Sequence, residues 1–273
     1  MRPPRWYRVL ATGGCFAAFF LGAGLFSWLY VPVLAVRTRG LPPPDAIRLA
    51  QRALLPVYRA FAWILVTSGV CTWRRPPLPP DLPSGPYVLV ANHPSLLDVM
   101  VILATVPNIC CLVKRSWFSN PLVGPLLRRG GHLPGPDPDG GTEGPSILEG
   151  IVERLGEGIP VLVFPEGSRS PAGSLRRFKR GAVEAALQAG VPLLPVFVGC
   201  DPPTLLRGQS WYDVPERPFD LTLDFLPVMD PRSEGEDSRL ITRRLAASYA
   251  ERVHMPPVSR PNPGQERSDD QRG

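Results

Sequence analysis

The chain has 273 residues, is 44% hydrophobic and carries a formal charge of +6, which allows one substantial core with no Ser/Gly linker dividing it. Residues 1–75 hold ten arginines against a single acid, Asp45, and the remainder is slightly acidic. The positive excess therefore surrounds the most apolar part of the chain, which points to an anionic membrane surface and away from nucleic acid, for which no recognisable module is present.

Residues 15–36, CFAAFFLGAGLFSWLYVPVLAV, contain no charge. A run of that length can span a hydrocarbon core as a helix. Arginines flank it on both sides, so the positive-inside rule assigns no orientation. A second apolar run, 60–71, is short for a span. Two arrangements stay open: one true span, or a helical hairpin dipping into one leaflet. The first run is too long for a signal peptide, and no small-residue cleavage site follows it. PPLPPDLPSGP (76–86) reads as a connector.

From there short apolar runs alternate with helical patterns. YVLVAN (87–92), ICCLV (109–113), VLVF (161–164) and LLPVFVG (193–199) read as buried strands. DLTLDFLPV (220–228) alternates like a half-exposed strand. Helices are expected over 94–105, with Pro94 at the first position, over 146–156, over 181–190 with a glycine stop, and over 236–253. The Gly-, Pro- and Asp-rich stretch 130–145 reads as a loop. The pattern predicts an α/β fold with a mostly parallel sheet flanked by helices, preceded by an N-terminal membrane-attached helical segment. The polar tail 256–273 is expected to be disordered. Cys15, Cys71, Cys110, Cys111 and Cys200 show no pairing rhythm and no metal-ligand spacing, so reduced thiols in a cytosol-facing domain are expected.

Two stretches carry residues suited to chemistry. In NHPSLLD (92–98), His93 falls where a strand ends and a helix begins. On a continuous helix, positions five apart point some 140° away from each other, by the usual ~100° per residue. A His93–Asp98 contact therefore needs His93 off the helix, and Pro94 favours that by pushing the preceding residue out of helical angles. Asp98 would then fix the imidazole tautomer and leave the other ring nitrogen free to take a hydroxyl proton. Alternatively, Asn92 or His93 simply caps the helix and Asp98 faces water. In FPEGSRS (164–170), Glu166, Ser168 and Arg169 sit on a Gly167-containing turn at another strand end, and arginine suits bidentate capture of phosphate. Arg176, Arg177, Lys179 and Arg180 follow with no acid between them. Most of such a charge run is ordinarily a solvated face.

Together these blocks resemble the glycerolipid acyltransferases typified by 1-acyl-glycerol-3-phosphate acyltransferase. Asn92, His93 and Asp98 match the family's N-H-x-x-x-x-D block, and residues 164–170 its F-P-E-G-[ST]-R-S block. Phe178, Lys179, Gly181 and Ala182 match F-K-x-G-A, and 191–196 (VPLLPV) matches the later apolar block. Order and spacing agree over roughly 85–200. The family's arginine-containing element between the first and third blocks is not matched, because GGHLPGPDPDGG (130–141) has no arginine, although Arg128, Arg129 and His132 are close. The resemblance implies transfer of a fatty acyl group from acyl-CoA or acyl carrier protein, as co-substrate, to a lysophospholipid hydroxyl. It implies His93 as general base, Asp98 as its orienter, and Glu166, Gly167, Ser168, Arg169 and Lys179 as acceptor-site residues. No metal or bound cofactor is implied. The missing arginine leaves the acceptor open between lysophosphatidic acid and a lyso-aminolipid or specialised lipid. A non-catalytic membrane-binding relative and a thioesterase are the remaining alternatives. The implied organisation is a membrane-associated segment over 1–75, the connector 76–86, a catalytic domain over 87–255 facing the cytosol at the cytoplasmic membrane, and the tail.

Overall fold

A computed structural model describes residues 3–135, 147–233 and 237–253. The expected tail 256–273 and most of the expected loop 130–145 lie outside the described residues. The chain opens with helix α1 (Arg5–Leu25), which runs through a π turn (Phe26–Tyr30) into α2 (Val31–Arg37). Pro32 accounts for the π turn. It has no N–H to give the carbonyl four residues back, so the ladder slips by one and the Val31 N–H reaches Phe26 O. Helix α3 (Pro43–Thr67) is 25 residues long.

The second apolar element is thus not the short run 60–71. Its helix begins at Pro43 and absorbs Arg48, Arg52 and Arg59. Both Arg5–Arg37 and Pro43–Thr67 are long and apolar enough to cross a membrane, since ~20 apolar residues suffice. Arg48 donates to Glu157 O at 2.7 Å and Arg59 to Ala104 O at 3.2 Å, so α3 is also tied to the sheet-bearing part of the chain.

The sheet follows. Strand β1 (Cys71–Trp73) leads to β2 (Val88–Ala91), α4 (Asp98–Thr105) and β3 (Cys110–Val113). A 3₁₀ turn (Arg115–Ser119), α5 (Gly124–Arg129) and β4 (Leu133–Pro134) come next. Then follow α6 (Ile147–Gly156), β5 (Val161–Val163), α7 (Gly181–Ala189), β6 (Leu193–Asp201), β7 (Phe219–Phe225) and α8 (Ser238–Val253). The strand order is β1-β7-β6-β2-β5-β3-β4. All pairs are parallel except β6 with β7. The mostly parallel sheet flanked by helices is therefore present. Two short strands the sequence did not announce are added: β4, inside the expected loop, and β1, inside the segment read as membrane-associated.

Alternation along β2 explains the layers. Leu89 and Ala91 pack with Val101, Ile102, Phe61 and Leu65 on the face covered by α3 and α4. Val88 and Val90 pack with Ala182, Ala186, Ile241 and Tyr249 on the face covered by α7 and α8. A strand buried on both faces reads as one unbroken apolar run, as VLVA does. Gly190 ends α7 in the left-handed conformation, φ +66°, the usual glycine stop. Because β2 lies between β6 and β5, the segments leaving β2 and β5 emerge side by side at the carboxyl edge of the sheet. Open α/β sheets gather their reactive groups at that edge.

Candidate active site

The first group is built at the end of β2. Asn92 does not cap the helix. Its side-chain Nδ2 donates to Val198 O at 2.8 Å, and its Oδ1 accepts from Val198 N–H at 2.7 Å. The amide thus imitates one more rung of the β2–β6 ladder while the main chain turns away from the sheet. Residues 93–97 form that turn, and α4 starts only at Asp98, later than the expected position 94. Pro94 is therefore outside the helix, and so is His93. The Asp98 carboxylate explains the delay. Its Oδ2 accepts the Ser95 N–H at 2.8 Å, which curls the chain before the helix can begin.

The same oxygen accepts His93 Nδ1–H at 2.9 Å. Asp98 is 0% exposed and the His93 side chain 18% exposed. Burial pushes the Asp98 carboxyl up from the ordinary carboxylate range, and the hydrogen bond and charge of His93 pull it back. The Nδ1 contact fixes the proton on that nitrogen, so His93 Nε2 carries the free lone pair. Phe164 lies under the imidazole, ring centroids 4.2 Å apart and planes 24° from parallel.

The second group leaves β5. Gly167 has φ +69°, and a Cβ there would stand 3.0 Å from Lys179 Nζ. The turn therefore needs glycine for its backbone and for the room that Lys179 uses. Glu166 departs from the expected substrate-facing acceptor. It is buried, 5% exposed, and both its oxygens are taken by the protein. Oε1 accepts His93 N–H at 3.0 Å, Oε2 accepts Arg176 N–H at 2.7 Å, and the Ser170 hydroxyl lies 2.7 and 2.8 Å from the two. Ser170 N–H in turn donates to His93 O at 2.7 Å.

Arg169 also has a protein role that its sequence position did not reveal. Its Nη1 donates to Leu205 O at 2.5 Å and Leu206 O at 3.1 Å, in the connection between β6 and β7. From the same connection Arg207 reaches Ser168 Oγ at 3.4 Å. Arg169, Lys179 and Arg207 therefore gather positive charge around the Gly167 turn. Asn92 and Ser170 stand in the matched blocks but were given no site role there, and Arg207 is the member that motif reasoning passed over. Arg207 lies outside any motif, and only the fold brings its loop to the turn.

A cavity of about 480 Å³ opens beside His93, a size that suits a lipid-like ligand. His93, Leu97 and Phe164 line one end of it, with Phe16 of α1 and Phe61 of α3 further along. His132 lines it too, and is buried rather than looped out. Its Nδ1 accepts Cys111 N–H at 3.1 Å, and burial, with Arg154 adding to it, lowers its pKa to about 4. Among the described residues no group of His, Cys, Asp and Glu could hold a metal ion.

Comparison with known proteins bears on the same residues. The model of the family described as Acyltransferase matches residues 76–199, which include both groups. The 1-acyl-sn-glycerol-3-phosphate acyltransferase alpha of Homo sapiens is 31% identical over 216 residues. The alignment takes in 74% of this chain and 66% of that relative, so the chain spans just under two thirds of its length. The chloroplastic 1-acyl-sn-glycerol-3-phosphate acyltransferase LPAT1 of Arabidopsis thaliana is 34% identical over 118 residues, 42% of this chain and 33% of its own. In fold, the chain is similar to the crystal structure of the 1-acyl-sn-glycerophosphate acyltransferase PlsC from Thermotoga maritima. The TM-score is 0.67 at 22% identity, covering 92% of this chain and 96% of that one. Residues 76–199, the segment that matches the Acyltransferase family, hold both the His93–Asp98 contact and the 164–170 turn, and over 216 residues the chain is similar to 1-acyl-sn-glycerol-3-phosphate acyltransferase.

Proposed function

We propose that the protein transfers a fatty acyl group from an acyl thioester to the free hydroxyl of a lysophospholipid, with 1-acyl-glycerol-3-phosphate as acceptor and phosphatidic acid as product. The observation that carries this is the 2.9 Å contact between His93 Nδ1 and a fully buried Asp98 at the end of an apolar cavity. His93 Nε2 takes the acceptor hydroxyl proton as its oxygen attacks the thioester carbonyl carbon. The tetrahedral adduct collapses, the C–S bond breaks, and the thiolate leaves with the proton returned by the imidazolium. Asp98 holds the ring and offsets the charge that forms on it. The cavity takes the acyl chain. Arg169, Lys179 and Arg207 face the acceptor's phosphate, and the names of the relatives favour that acceptor.

The donor is acyl-CoA or acyl carrier protein, used as co-substrate with no bound cofactor. The two apolar helices attach the protein to the cytoplasmic membrane with the sheet on the cytosolic side. A second reading keeps the chemistry and changes the acceptor to a lyso-aminolipid or specialised lipid. It is favoured by the arginine-free stretch 130–141.

The test is lipid product analysis after incubating purified membranes with radiolabelled acyl-CoA or acyl carrier protein and a mixed acceptor pool. Acylation of lysophosphatidic acid, lost in His93→Ala, is expected. Turnover of other lyso-lipids alone supports the second reading. Unchanged product formation by His93→Ala refutes the base assignment.

A further inference from the structure

We infer that Glu166 is a positioning residue for His93 rather than a ligand of the acceptor; this rests on the reading of His93 as the base. The first observation is that Glu166 has nothing left to offer a substrate. It is 5% exposed, and three donors converge on its carboxylate: His93 N–H, the Ser170 hydroxyl and Arg176 N–H. Among the described residues it forms no ion pair. A carboxylate buried without a cation is sustained only by such charge-assisted hydrogen bonds.

The second observation is where those bonds lead. The peptide groups on both sides of the His93 Cα are held by the 164–170 turn, its N–H by Glu166 and its carbonyl by Ser170 N–H at 2.7 Å. The Ser170 hydroxyl then closes the loop by bonding back to Glu166. Phe164 of the same segment stacks on the imidazole. Asp98 can orient the ring only if the backbone carrying it stays put. That backbone belongs to a five-residue turn with no ladder of its own beyond Asn92. The turn after β5 supplies the missing rigidity from a different part of the chain, 73 residues away.

The chemistry of the side chain fits this role closely. A neutral glutamine presents one oxygen and one NH₂. Whichever way it faces, a donor meets a donor, either at Arg176 N–H or at His93 N–H. Aspartate keeps the charge but is one methylene short of the three donors. A displacement of about 1 Å at a general base can cost ~10²-fold in rate, so both changes act on the chemical step. A residue that gripped the acceptor would instead lose acceptor affinity.

The experiment uses the full chain purified in detergent, with kcat and acceptor KM measured for wild type, Glu166→Gln, Glu166→Asp and Ser170→Ala, together with thermal melting. Glu166→Gln is expected to lower kcat by ~10²-fold with acceptor KM within about threefold of wild type. Ser170→Ala keeps the carboxylate on His93 N–H and is expected to lose less kcat at unchanged KM. It carries the test if Glu166→Gln does not fold. Acceptor KM raised at unchanged kcat, or no change in either constant, overturns the inference. His93→Ala is run alongside. If it is inactive, such a result counts against the positioning role alone; if it stays active, the base assignment fails and takes the inference with it.

Discussion

Replacing Asp98 by Asn separates the geometry of the proposed base–orienter pair from its charge. Asp98 Oδ2 accepts from both His93 Nδ1 and Ser95 N–H, whereas Oδ1 is buried with no hydrogen-bond partner among the described residues. An asparagine can therefore set its oxygen where Oδ2 stands, because Ser95 N–H rejects an NH₂ there. The amide nitrogen then occupies the Oδ1 position, and the His93 tautomer is retained. What disappears is the negative charge that would face the imidazolium formed when, in the proposed reaction, the hydroxyl proton is taken. At a charge separation of about 4 Å and an effective dielectric near 20, that attraction is ~4 kcal/mol. At 1.36 kcal/mol per decade this corresponds to a loss of roughly 10²–10³ in kcat, with acceptor KM unchanged. Steady-state acylation by detergent-solubilised enzyme reads it. A loss below about tenfold would refute the charge-stabilisation argument. Stability should move the other way. The folded-state pKa of Asp98 is raised by burial, so its contribution is fully present below the unfolded value near ~3.9 and is lost as pH rises through the raised pKa. Thermal melts should show Asp98→Asn gaining on wild type as pH rises, and the opposite trend would contradict the buried-carboxylate account.

Three further outcomes follow from the same structure. The Tyr249 hydroxyl donates to Val90 O at 2.7 Å and accepts Val196 N–H at 2.9 Å, bridging β2 and β6. Tyr249→Phe should cost about 1–3 kcal/mol for groups left unpaired, read as a lower melting temperature with kcat retained. His132, with its pKa lowered to about 4, contributes stability that is present above its unfolded value of ~6.5 and is lost as pH falls through about 4. His132→Asn should flatten the acid-side fall in melting temperature and leave the pH–rate profile above that range unchanged. Cys110 and Cys111 are buried, and burial pushes their thiols up, Cys110 to about 12. Maleimide should leave both unmodified in the native protein and label them after unfolding, as judged by peptide mass spectrometry.

The central strands were legible because burial on both faces leaves an unbroken apolar run, as in VLVA and LLPV. Strands β1 and β4, of three and two residues, carry no period and exist only because β7 and β3 offer them edges. Helix α3 was undercut for a different reason. Apolarity alone marks residues 60–67, whereas the earlier turns are amphipathic, with arginines that bond carbonyls on other elements. In the site, the His93–Asp98 contact could be argued from Pro94 and the spacing. The partners of Asn92 and Glu166 could not, because Val198 is 106 residues from one and His93 is 73 from the other. A motif records which residue types are needed. It does not record which of them face each other instead of the substrate.

The same distinction bears on the acceptor. The arginine-free stretch begins with residues that serve the interior. Gly130 O accepts from Gln51 Nε2 at 3.0 Å, and His132 accepts from Cys111 N–H, so this part of the segment braces α3 and β3. Arg169 is anchored through Nη1 alone. Among the described residues, Nε and Nη2 are without a protein acceptor. A guanidinium held by one corner is already oriented, and its Nε–Nη2 edge is the fork that meets two phosphate oxygens side by side. A phosphate received there would find Arg207 and Lys179 on the same turn. Its selection would then rest on the β6–β7 connection, which both orients Arg169 and supplies Arg207, rather than on the stretch where the family places its arginine.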